Sequence, residues 1–62
     1  MVWVVIADLE NGHQGFTECN TKESAEETRD DWMRTGLANG ISPIRGNVEI
    51  LKYNFDSAIR NL

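Results

Sequence analysis

The stretch Val2-Trp3-Val4-Val5-Ile6-Ala7-Asp8, followed by Leu9-Glu10-Asn11-Gly12-His13, decides how the chain is read. β-Branched and aromatic residues dominate positions 2–8, and such side chains fit a pleated, half-buried surface, so the stretch predicts a strand. Both of its faces are apolar. Trp3, Val5 and Ala7 fall on one, and Val2, Val4 and Ile6 on the other. A strand apolar on both sides is normally covered on both sides. The Asn11-Gly12 pair suits the positive φ angles of a hairpin turn. Residues 14–19 should then return as a second strand, weakened by Gly15, with Phe16 and Cys19 as its apolar members.

Beyond Cys19 the period changes from two to about 3.6. Asn20 with Glu23 forms one candidate capping box, and Thr21 is the other candidate cap. The helix should run from Lys22 to Thr35. Ala25, Thr28, Arg29, Trp32 and Met33 lie on one stripe, and Glu23, Glu26, Glu27, Asp30, Asp31 and Arg34 on the opposite face. Gly36 suits the left-handed residue that ends a helix, with Leu37 closing a Schellman contact. Residues 38–47 contain Gly40, Pro43 and Gly46 and no periodicity, so they read as a loop pinned to the core by Ile41 and Ile44. Residues 48–55 read as a third strand, with Val48 and Ile50 on one face and Leu51, Tyr53 and Phe55 on the other. Asp56 suits the cap of a last helical turn, Ser57 to Leu62.

The expected architecture is therefore a single small α+β domain over residues 1–62. It has a three-stranded antiparallel sheet in β-β-α-β order, with the first strand in the middle. One amphipathic helix lies on one face and a short helical turn ends the chain. One helix covers one face only. The second face needs the segment around Ala58, Ile59 and Leu62, a second copy of the chain, or a different protein. Exposed apolar patches of this kind mark interaction sites.

Size and charge narrow the function classes. A domain of 62 residues buries only about 60 % of the surface its unfolded chain exposes. Cys19 is the only cysteine and His13 the only histidine, so neither an internal disulfide nor a four-ligand zinc site can staple the fold. Association is the remaining staple. A lone thiol fits a reducing compartment. The apolar run 2–7 ends at Asp8, too early for a leader peptide, and no run approaches the roughly 18 apolar residues of a membrane span. The expected location is cytoplasmic, without a membrane partner.

The formal net charge is −4. Asp8, Glu10 and Glu18 stand without a base before residue 22. Five acids outweigh Lys22, Arg29 and Arg34 in the helix, and the bases Arg45, Lys52 and Arg60 outnumber Glu49 and Asp56 after it. Nucleic-acid binders carry a basic footprint, which this chain lacks.

The candidate chemistry is thin. His13 and Cys19 stand at opposite ends of one predicted strand, roughly 20 Å apart, so they do not make a nucleophile–base pair. Tyr53 and Phe55 alternate near Lys52 and Arg45, a weak form of the aromatic platforms that stack single-stranded nucleic acid, and core packing explains them as well. Gly36-Leu37-Ala38-Asn39-Gly40 follows a helix C-terminus, where the dipole repels anions, and is no phosphate loop. No catalytic, metal or cofactor residue stands out, and the reading is that of a non-enzyme. The strongest local signal is the acidic helix face: Glu23, Glu26, Glu27, Asp30 and Asp31. Glu23–Glu27 and Glu27–Asp31 are like-charge i,i+4 pairs, which cost stability. A solvated outer face explains them, and so does a docking surface for a basic groove. Trp3, near the start of a two-faced strand, is either core or an interface anchor.

In size, charge and layout the chain resembles the short acidic single-domain proteins with which phages bind and inhibit host machinery. That likeness implies an inhibitor or modulator of a host protein. The expectation is a non-catalytic module that binds a protein through Glu23, Glu26, Glu27, Asp30, Asp31 and Trp3. The alternative is a structural, self-assembling homodimer joined through the open sheet face, with no separate ligand.

Overall fold

The computed structural model describes residues 2–53. The elements are β1 (Val2–Leu9), β2 (Gln14–Cys19), α1 (Lys22–Thr35), β3 (Leu37–Ala38) and β4 (Ser42–Tyr53). The sheet has four antiparallel strands in the order β2-β1-β4-β3, curled into a half-barrel around one helix. This corrects the expected three-stranded sheet. Residues 38–47, expected as a loop, supply a hairpin instead: β3 and the first part of a 12-residue β4. The expected turn over Ser57–Leu62 and the last two positions of the expected third strand lie outside the described residues.

Two turns explain the extra hairpin and one difference in the first. Between β3 and β4, Asn39 (φ 54°) and Gly40 (φ 74°) both take positive φ, and the Ile41 amide donates to the Ala38 carbonyl at 3.1 Å. Two positive φ angles in sequence are what a type I′ hairpin needs. The turn at Asn11-Gly12 is different. Only Gly12 is left-handed (φ 88°), the Gly12 amide donates to the Leu9 carbonyl at 3.1 Å, and the Leu9 amide donates to the His13 carbonyl at 2.9 Å. Asn11 instead uses its side chain, accepting from the His13 amide at 2.9 Å.

β1 sits between β2 and β4. Its register is Trp3↔Cys19, Val5↔Thr17 and Ala7↔Gly15 toward β2, and Trp3↔Lys52, Val5↔Ile50 and Ala7↔Val48 toward β4. The ladder then slips, and Leu9 meets Ile44. Four residues of β4 thus span what two of β1 span. Such a bulge bends a strand and raises its twist. The bend curls the sheet; past it Pro43 pairs with Leu37 of β3 while its carbonyl still accepts from the Glu10 amide at 3.0 Å.

α1 has the bounds its period predicts. Thr21, not Asn20, caps it: the Thr21 hydroxyl accepts from the Ser24 amide at 3.1 Å. Gly36 ends it in the left-handed region (φ 74°), its amide bonded to the Trp32 carbonyl at 2.8 Å. Leu37 then enters β3 directly. The core joins the helix to the odd positions of β1: Val5, Ala7, Leu9, Cys19, Ala25, Trp32, Ala38 and Val48, with Trp3, Ile44 and Ile50 packed against it. Met33 and Ile41, expected on the apolar stripe and as a core pin, are exposed. Met33 lies within the last turns of α1 and Ile41 at the turn between β3 and β4. No helix among the described residues is long and apolar enough to cross a membrane.

Candidate functional site

Residues opposite each other in an antiparallel pair share a face. The helix takes the face of Trp3, Val5, Ala7 and Leu9. The register therefore assigns the other face to Val2, Val4, Ile6 and Asp8 on β1, Gln14, Phe16 and Glu18 on β2, and Glu49, Leu51 and Tyr53 on β4. No described element lies over it. Phe16 is 63 % exposed and Leu51 36 %. Val4 is buried yet stands outside the core cluster.

The polar groups of this face stand beside the apolar ones. Glu18 is opposite Val4, and Glu49 is opposite Ile6. Asp8 accepts from the Gln14 side-chain amide at 3.3 Å. A shallow depression of about 340 Å³ opens here, lined by Ile6, Asp8, Gln14, Asn47, Glu49 and Leu51. Two carboxylates thus frame an apolar floor. None of the paired positions on this face is lysine or arginine.

The acidic helix face is also where the sequence places it, but it is partly neutralised. Lys22 lies 4.0 Å from Glu26, Arg29 lies 3.4 Å from Asp30, and Arg34 pairs with Asp31. Glu23 and Glu27 form no such ion pair among the described residues. Exposed pairs of this kind contribute little stability. Their effect here is to lower the outward negative field. Trp3 does not join the five acids. It faces inward at the edge of the core, opposite Lys52, whose ammonium lies 5.2 Å from the ring centroid.

The remaining candidates stay apart. His13 is exposed at the hairpin, and Cys19 is buried with its Sγ 3.8 Å from the Thr28 hydroxyl. That hydroxyl donates to the Ser24 carbonyl at 2.9 Å, as a helix residue satisfied by its own backbone does. Among the described residues no group of three or more His, Cys, Asp or Glu side chains is placed to hold a metal ion. The sequence reading missed Asp8, Phe16, Glu18 and Glu49 as site residues. The signal lay in the alternation of β2, where Gln14, Phe16 and Glu18 share one side, once register joined them to Val4 and Ile6.

Comparison of the chain with protein-family models, with curated proteins and with solved structures gave no match.

Proposed function

We propose that the chain is a non-catalytic protein-binding module that acts by occupying a surface of another protein, as an inhibitor or an adaptor does. The observation that carries this reading is the second sheet face, where Phe16 and Leu51 are exposed and Ile6 is half-buried, with no described element over them. Exposed apolar surface of this kind is costly to keep unless a partner uses it. The separation of His13 from Cys19 supports a non-catalytic role. A buried lone thiol supports a cytoplasmic setting.

The acidic helix face is the weaker candidate surface, because three of its five carboxylates already have a cation on the same helix. Self-assembly through the sheet face uses the same apolar surface. It also brings the Asp8, Glu18 and Glu49 carboxylates of two copies together, with no base among the paired described positions of the face, and like charges across an interface disfavour association.

Affinity capture from a lysate of the source cell tests the reading with three baits: the native chain, Phe16→Glu, and Glu27→Lys with Asp31→Lys. The expected result is a partner held by the native chain and by the helix variant and lost with Phe16→Glu. A partner lost only with the helix variant moves the binding surface to the helix. No partner, together with a solution mass twice the 7.0 kDa of one chain, replaces the module with a homodimer.

A further inference from the structure

The composition of the open face says more than that it binds something. Its floor is apolar (Val4, Ile6, Phe16 and Leu51), and its charged paired positions, Asp8, Glu18 and Glu49, are all acidic. Asp8 and Glu49 line one depression beside Ile6 and Leu51. A side chain seated there needs a long apolar stem and a cationic head, which describes lysine and arginine. Beyond the depression, the exposed Phe16 ring needs an apolar neighbour to cover it.

We propose that the open sheet face receives a basic amphipathic segment of a protein partner. Its apolar side chains cover Phe16, Ile6 and Leu51, and a lysine or arginine enters the depression between Asp8 and Glu49. The proposal rests on the protein-binding reading above and adds the chemistry of the partner. Charge complementarity selects this occupant. A second copy of the chain presents the same acids to the same acids, whereas a basic segment neutralises them and is steered toward the face from a distance.

The probe is a fluorescent amphipathic peptide of leucine and lysine at helical spacing, titrated into the full chain. A matched leucine–glutamate peptide serves as control. The leucine–lysine peptide should bind at least about tenfold more tightly than its acidic counterpart, and the difference should shrink as salt rises. Asp8→Lys with Glu49→Lys should weaken binding by about tenfold, and Phe16→Glu by a similar factor. Glu27→Lys with Asp31→Lys removes equal charge from the helix face and should change the affinity by less than about twofold. Phe16, Asp8 and Glu49 are exposed, so these variants should keep the native circular dichroism.

Five outcomes overturn the proposal. Equal loss in the helix variant means that the peptide reads net charge and not this face. Unchanged affinity in the Asp8/Glu49 variant removes the cation from the depression. A doubled solution mass that reverts with Phe16→Glu gives the face to a second copy. Peptide binding that appears only when residues 55–62 are deleted gives the face to the chain's own C-terminal segment. If the peptide fails while lysate capture stays sensitive to Phe16→Glu, the module stands and only the basic partner falls.

Discussion

Gly15 on β2 and Ala38 on β3 meet although their strands are the two outer strands of the sheet. A Cβ placed on Gly15 would stand 3.0 Å from the Ala38 Cβ and 3.2 Å from Leu9 Cδ2. Beside this contact the Asn39 side-chain amide donates to the Phe16 carbonyl at 3.4 Å. The curl of the sheet has therefore brought its two edges to within one methyl group of each other, and glycine is the residue that permits it. Overpacking a tight site costs about 1–3 kcal/mol, and the reduced freedom of the unfolded chain returns less than about 1 kcal/mol. Gly15→Ala should thus lower stability by about 1 kcal/mol in urea unfolding, and adding Ala38→Gly should restore part of the loss. A Gly15→Ala chain as stable as the native one would show that the seam is looser than this contact.

Trp32 should be the least replaceable side chain. It is 3 % exposed and belongs to the cluster that joins α1 to the sheet. Trp→Ala in a core costs about 3–5 kcal/mol, about the whole net stability of a domain this size. Trp32→Ala should therefore lose its far-ultraviolet circular dichroism signal and its cooperative transition at 25 °C. Trp32→Phe should retain both at a lower urea midpoint. A folded Trp32→Ala chain would mean that the Trp32 side of the core is dispensable.

The start of the helix separates two candidates that the sequence leaves open. Thr21 accepts from the Ser24 amide, so Thr21→Ala should cost about 1 kcal/mol. Asn20→Ala, one residue outside the cap, should stay within about 0.5 kcal/mol of the native chain. Thermal or urea unfolding of the two variants measures the contrast. A larger loss for Asn20→Ala would move the cap.

These sites also show how much of the molecule can be read from its residues. The bounds of α1 follow from Thr21, the apolar stripe and Gly36, all local signals. The two-faced character of β1 follows from alternation. The curl does not, because it depends on the slip between Ala7↔Val48 and Leu9↔Ile44, which is a relation between distant segments. The candidate site shared this difficulty. Phe16, Glu18 and Glu49 come together only through register, and Trp3 packs beneath the helix while the helix acids face away from the sheet. Ion pairing within α1 was half legible: Lys22–Glu26 and Asp30–Arg34 both have i,i+4 spacing, but only the first pair forms, because Arg34 turns to Asp31 and Asp30 takes its neighbour Arg29.

Asn39-Gly40 is the signal that was present but outweighed by the Pro43 and Gly46 after it. Its two positive φ angles set the β3–β4 hairpin, and Asn39 has a second role through its bond to the Phe16 carbonyl. The roles separate by substitution. Asn39→Gly keeps access to φ 54° and loses the side-chain bond; Asn39→Ala loses the bond and also meets the left-handed penalty of about 1–2 kcal/mol. Asn39→Ala should therefore be less stable than Asn39→Gly by about 1 kcal/mol, and Gly40→Ala, at φ 74°, should lose a similar amount. Amide exchange at Ile41, whose N–H closes the turn, should speed up in the two alanine variants more than in Asn39→Gly. Equal stability and equal exchange in all three would mean that the turn is held by the packing of Ala38 against Gly15, and not by the backbone preference of its two central residues.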